Sequence, residues 1–172
     1  AQASLTYGGY TSLVYATGIL GGMIADRYLG YQRSIILGGL LMAVGCFMLL
    51  SPEIHLFLIG LAVIVAGNGL FKPNISTMVG KLYAPGDVRR DSGFTIFYMG
   101  INAGAFVAPL ITAVWIGANY GYKYGFLAAA IGMIFGIAVF QVRKGMLGHV
   151  GKSPAGREGW GPVLNVLVGA IL

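Results

Sequence analysis

The sequence predicts an all-α fold, a polytopic membrane helix bundle with about five complete transmembrane helices and the start of another. Three observations lead there. Of 172 residues, 57% are hydrophobic and only 9% are charged, whereas soluble domains carry roughly a quarter charged residues, so a water-soluble globule is excluded. Read in windows of about 19 residues, the apolar positions fall into long runs separated by short polar links, the arrangement of membrane-spanning helices. The alternation of apolar and polar residues over about ten positions that builds an outer-membrane barrel is absent.

The first span is expected over residues 5–28, and the polar link 29–33 leads into a second over 34–50. The turn Ser51-Pro52-Glu53-Ile54-His55 follows, then a long third span over 56–83. The charged loop 84–90 precedes a fourth span over 91–116, and the turn 117–123 precedes a fifth over 124–142. Residues 143–160, basic and rich in glycine, read as a linker. Residues 161–172 are an apolar start only, because twelve helical residues rise about 18 Å against a hydrocarbon core of about 30 Å. With no charged n-region and short apolar stretch at Ala1 there is no sign of a signal peptide, and the chain reads as a fragment of a larger transporter or channel.

The eleven Lys and Arg residues set the orientation. Arg27 and Arg33 lie in the first link, Lys81, Arg89 and Arg90 around the third, and Arg143, Lys144, Lys152 and Arg157 after the fifth span. The alternate connections hold only Lys123. By the positive-inside rule the rich side, with residues 143–160, is cytoplasmic and residue 1 lies outside, as expected of a multi-pass protein of the cytoplasmic membrane. One helix restored before Ala1 would make six, the half-unit of the major facilitator fold, so by analogy residues 1–142 are helices 2 to 6 of an N-terminal transmembrane bundle.

Small residues recur at four-residue spacing in Gly18/Gly22, Gly39/Ala43, Gly100/Gly104 and Gly132/Gly136, and all four pairs are expected to let helix backbones approach. Pro73 and Pro109 interrupt the hydrogen-bond ladders of the third and fourth spans, each a kink or a gating bend.

The eleventh basic residue, Lys72, lies within the third span, roughly 16 Å from its cytoplasmic end. A lysine near the bilayer centre costs at least about 2.5 kcal/mol on insertion scales, so it is expected to face a polar cavity and to be functional. Asn102, about 15 Å up the fourth span, and Tyr15, about 17 Å up the first, reach a similar depth. The alternatives are an asparagine bridging two helices and a tyrosine filling the core. Asp26, Asp87 and Asp91 lie at the cytoplasmic helix ends, Glu53 in the outer turn and Glu158 in the linker. None shares the depth of Lys72, so its counter-charge must come from another part of the protein or from an anionic group on the substrate. A lysine that changes partners in this way couples proton movement to substrate movement.

Asp26, Arg27 and Arg33 in the first link and Arg89, Arg90 and Asp91 before the fourth span form the cytoplasmic charge set. Two readings apply to it, a gate latch that breaks on opening and a static topology anchor. Asp26 ends a helix at the wrong pole for an anion and should be held by arginines or by another helix N-terminus, while Asp91 is expected to cap the fourth span. Cys46 reads as a buried, inert thiol. His55 and His149 stand apart from other ligand types, so no metal site is expected, and the basic residues form no aromatic-interleaved patch for nucleic acid.

Three motifs carry a family resemblance. Gly21-Gly22-Met23-Ile24-Ala25-Asp26-Arg27-Tyr28-Leu29-Gly30, Gly67-Asn68-Gly69-Leu70-Phe71-Lys72-Pro73-Asn74, and Arg89-Arg90-Asp91-Ser92-Gly93-Phe94 continuing through Phe97-Tyr98-Met99-Gly100-Ile101-Asn102-Ala103-Gly104-Ala105-Phe106 resemble the proton-dependent oligopeptide transporter family, within the major facilitator superfamily. The resemblance runs from Tyr10 to about Val142. It implies proton-coupled symport of di- and tripeptides by alternating access, with protons as the coupling ion, no other cofactor, and the rest of the same transporter and the lipid bilayer as partners. Lys72 matches the family's lysine linked to proton coupling and the peptide carboxylate, and Asn102 and Tyr15 match residues that contact the peptide backbone. A glutamate- and arginine-containing motif on the preceding helix is also implied and would supply the counter-charge. Asn68 stands where many relatives have a small hydroxylated residue.

Two other readings stay open. Relatives of the family carry nitrate or other small anions, which a central lysine would serve equally well. A non-transporting membrane receptor or assembly subunit would make Lys72 a structural ion-pair member. An enzyme is not expected, because no nucleophile and base, carboxylate pair or metal set stands at suitable spacing.

Overall fold

The computed structural model describes residues 2–153. Helix α1 spans Gln2–Ile24 and ends in a wide π turn, Ala25–Leu29; α2 spans Tyr31–Met48, α3 Ile54–Lys81 and α4 Arg89–Pro109. A π segment, Leu110–Gly117, and a last turn, Ala118–Tyr120, extend α4, and α5 runs Tyr122–Arg143 into a 3-10 turn, Lys144–Leu147. By length and composition α2, α3, extended α4 and α5 can each cross a membrane. The 23 residues of α1, the first expected span, would reach about 34 Å, but Gly, Tyr, Ser and Thr interrupt its apolar residues and it falls outside that set. The expected apolar start at 161–172 lies outside the described residues, as does the last part of the expected linker, 154–160.

The two prolines behave differently. At Pro73 the α-helix continues, and the Gly69 carbonyl that the proline deprives of an amide donor abuts Gly21 of α1. At Pro109 the α-helix gives way to the eight-residue π segment Leu110–Gly117, and the helical path continues without a break.

Helix α3 is the centre of the bundle, packed along α2 on one side and α1 on the other. In a lipid environment this association draws on close van der Waals packing rather than on water exclusion, and glycine sets the approach. Gly38 of α2 lies against the Gly67 backbone of α3 and Gly45 against Gly60, so that two glycines seven residues apart on each antiparallel helix meet in register. Gly21 and Thr17 of α1 meet Gly69 in the same manner, and the Thr17 hydroxyl is shared between Leu13 O at 2.8 Å and Val65 O on α3 at 3.3 Å. Asn74, fully buried, donates to Gly21 O at 3.2 Å and Leu70 O at 2.7 Å.

Of the four small-residue pairs expected to pack, only Gly39/Ala43 is buried, with Gly39 against Ile137 of α5. Among the described residues nothing lies within 4 Å of a Cβ placed at Gly18, Gly22, Gly100, Gly104, Gly132 or Gly136. Four-residue spacing marks one face of a helix but does not say whether that face meets a neighbour. Helix α4 itself buries no residue and approaches α3 mainly at its start, where Tyr83 covers Gly93 and Phe94 meets Gly80.

Residues 144–153, expected as a loose linker, form a strap across the basic end of the bundle. The Gln32 N–H donates to Gly151 O at 2.9 Å, its Nε2 donates to Val150 O at 2.7 Å, and the Ser153 hydroxyl donates to Leu29 O at 2.7 Å. Leu147 and Val150 pack on the buried cluster of Ala25, Tyr31, Ile35 and Met78. Gly30 (φ 74°) and Gly151 (φ 78°) take positive φ where the two segments meet, a backbone that glycine adopts because it has no Cβ to clash.

Candidate functional site

Residues 68 and 72 are one helical turn apart on α3, on a face rotated away from the buried Gly67, Asn74 and Met78 that pack against α1, α2 and the strap. The neighbouring face of α1 carries Val14, Tyr15 and Gly18. Together Tyr15, Asn68, Lys72 and Ser76, with Val14, Gly18 and Pro73, line a cavity of about 280 Å³ between α1 and α3. Gly18 leaves room at its side because it brings no Cβ, and Tyr15 stands 76% exposed. Among the described residues the Lys72 ammonium has neither a hydrogen-bond nor an ion-pair partner. The cavity thus presents one cation, a phenol, a carboxamide and the Ser76 hydroxyl, able to bind an anionic group and a neighbouring amide.

Two of the three sequence candidates share this cavity. Asn102 does not line it: it stands exposed on α4, which diverges from α3 beyond the Phe94 contact. Asn68 and Ser76 are polar lining residues that the sequence reading did not place in the site. Their signal was the one-turn spacing to Lys72 on the same helix.

At the basic end the Tyr31 hydroxyl, on the first residue of α2, donates to Asp26 Oδ1, and Lys81 Nζ donates to that hydroxyl at 2.7 Å while lying 4.5 Å from the ring centroid. The carboxylate, phenol and ammonium therefore join the ends of α1, α2 and α3. Arg27 lies in the π turn after α1, and Arg33 lines a cavity under the strap. Helix α4 begins at Arg89, two residues earlier than expected, and this corrects the role of Asp91. Asp91 sits inside the first turn, exposed, where the helix dipole favours an anion, and the cap comes from Asp87, whose Oδ1 accepts from the Arg89 N–H at 2.9 Å. The Arg89 guanidinium also grips Asp87, Nη2 to Oδ2 at 2.8 Å. That hydrogen bond holds the Asp87 carboxyl below the usual carboxylate range. Arg90 lies over the Phe94 ring at 5.8 Å. Among the described residues no three His, Cys, Asp or Glu side chains form a metal-binding group.

A bundle of long apolar helices, with a lysine that has no partner among the described residues in a groove between two of them, defines a multi-pass membrane protein. The POT family profile matches residues 32–157, and the chain belongs to this family of transporters. It is 47% identical over 146 residues to an uncharacterized transporter, YclF, of Bacillus subtilis, which covers 84% of this chain and 30% of that protein. It is 45% identical over 159 residues to a di-/tripeptide transporter of Lactococcus lactis, covering 90% of this chain and 31% of that one. A crystal structure of a POT peptide transporter in complex with alafosfalin superposes with a TM-score of 0.80 at 44% identity, over 94% of this chain and 34% of that chain. The chain thus spans about a third of the length of the relatives it matches.

Proposed function

We propose that this chain is part of a proton-coupled symporter that moves di- and tripeptides across the cytoplasmic membrane by alternating access. The observation that carries the reading is the placement of Lys72 and Tyr15 in one groove, with the ammonium free to take a carboxylate. A peptide offers a C-terminal carboxylate for Lys72 and backbone amides for Tyr15 and Asn68. Asn102 joins these contacts once the remainder of the transporter draws α4 toward the groove. In this reading residue 1 lies outside and the strap end is cytoplasmic, as the distribution of Lys and Arg favours. Asp26, Arg27, Arg33, Arg89, Arg90 and Asp91 then border the inner gate. The names of the Lactococcus relative and of the alafosfalin-bound structure support the cargo.

The test is uptake of a labelled dipeptide into liposomes holding the full-length transporter, with and without an inward proton gradient. Native uptake is expected to require the gradient. Lys72→Gln is expected to abolish gradient-driven uptake while downhill exchange survives. A native protein that ignores dipeptides under every gradient would overturn the cargo, and nitrate is then the substrate to assay.

A further inference from the structure

The strap does more than tie helix ends together: it closes one side of a basic cavity. About 780 Å³ of space lies between the end of α3, the start of α4 and residues 149–152. Three cations reach it from three separate elements, Lys81 from α3, Arg90 from α4 and Lys152 from the strap, with the His149 imidazole beside them. No aspartate or glutamate lines it. Of the carboxylates at this end, Asp26 accepts from the Tyr31 hydroxyl and Asp87 is held by Arg89, while Asp91 is exposed beside Arg90 on α4. Lys81 donates one hydrogen bond to Tyr31 and keeps further N–H groups for a ligand. Pro85, Phe94 and Val150 add apolar surface to the lining.

Lys81, Arg90 and Lys152 are exposed, and three like charges facing one space with no acid among the lining residues make it attractive to an anion. Phosphate suits the set, because an arginine fork binds two phosphate oxygens at once and lysines add point charges. The cavity also stands at the depth of lipid headgroups, since Lys81 is the last residue of a membrane-length helix and Arg90 the second of another. It is far roomier than one phosphate ion needs, and its apolar lining residues suit the glycerol ester region that follows a lipid phosphate.

The geometry points to a binding site for the phosphodiester headgroup of an anionic phospholipid, held by Lys81, Arg90 and Lys152 and closed by the strap. Basic pockets at the ends of transmembrane helices recognise such headgroups in general. This site is distinct from the Tyr15–Lys72 groove and does not depend on the cargo.

Native mass spectrometry of the detergent-solubilised full-length transporter, titrated with phosphatidylglycerol, phosphatidylcholine or inorganic phosphate, tests it. Phosphatidylglycerol is expected to bind the native transporter more tightly than phosphatidylcholine, and inorganic phosphate to displace it only at far higher concentration. Arg90→Gln combined with Lys152→Gln is expected to weaken phosphatidylglycerol binding by about tenfold or more, as loss of two charge-assisted contacts implies. Lys123→Gln, which removes the same unit of charge at the opposite end, is expected to leave it unchanged. Lys152→Gln alone touches only the exposed strap and decides the matter if the double variant does not fold. Equal loss from Lys123→Gln and Lys152→Gln, equal binding of the two lipids, or saturation by phosphate without lipid binding would each overturn the proposal.

Discussion

Gln32 and Val150, 118 positions apart, are joined by a 2.7 Å hydrogen bond from the glutamine Nε2 to the valine carbonyl. With the neighbouring Gln32 N–H to Gly151 O bond, it fixes the start of α2 to the segment that follows α5. The basic end of the bundle is thereby closed into one packed unit, in which the Asp26–Tyr31–Lys81 chain and the cavity beside it keep their geometry.

Removing the strap's side-chain ties should loosen it without unfolding the helices. Gln32→Ala and Ser153→Ala are each expected to cost about 1 kcal/mol of local stability, the net worth of one hydrogen bond. Hydrogen exchange of residues 148–153 should accelerate while exchange in α3 stays unchanged. Equal acceleration in α3 would mean that strap and bundle open together.

Adjacent glycines should respond oppositely to the same substitution. Gly21→Ala drives a methyl into the Gly69 carbonyl, whereas Gly22→Ala enters open space. The first is expected to destabilise the α1–α3 packing by roughly 1–3 kcal/mol, as over-packing typically does. The second is expected to be neutral or slightly stabilising, because alanine favours helix over glycine by up to about 1 kcal/mol. Thermal unfolding in detergent distinguishes them.

The start of α4 should be sensitive to acid. The Asp87 carboxyl is held low by its hydrogen bond from Arg89, so its contribution is fully present above the unfolded value of about 3.9 and is lost as pH falls through the folded value. Exchange of the Arg89 amide is therefore expected to gain protection from this bond at neutral pH and to lose it in strong acid. Asp87→Asn should remove that pH dependence, and Asp91→Asn should retain it.

In the full-length transporter, Tyr15→Phe is expected to raise the half-saturating dipeptide concentration by about fivefold, the loss of one hydrogen bond of roughly 1 kcal/mol. Asn68→Ala should act in the same direction. If Asn102→Ala does so as well, α4 closes on the groove in the assembled protein; if it leaves uptake unchanged, the peptide is held by α1 and α3 without it.

The sequence by itself determined where the long helices lie, which ends carry the positive charge, and that a lysine sits inside a span. These follow from hydropathy and charge summed along a single helix, quantities that need no knowledge of neighbours. Family membership was legible for a similar reason, because the motifs around Asp26, Lys72 and Asn102 are contiguous in the chain. The tertiary structure decided which face of each helix meets another. Thus Gly38 and Gly67 carry the α2–α3 contact while Gly132 and Gly136 do not, and Asn68 lines the groove while Asn102 stands apart. A shift of two residues at the start of α4 moved the cap from Asp91 to Asp87. The strap was hidden from the sequence because its partners, Leu29 and Gln32, are more than a hundred residues away. Helix rotation and long-range closure depend on which surfaces fit together at van der Waals distance, and composition and spacing along one chain do not encode that fit residue by residue.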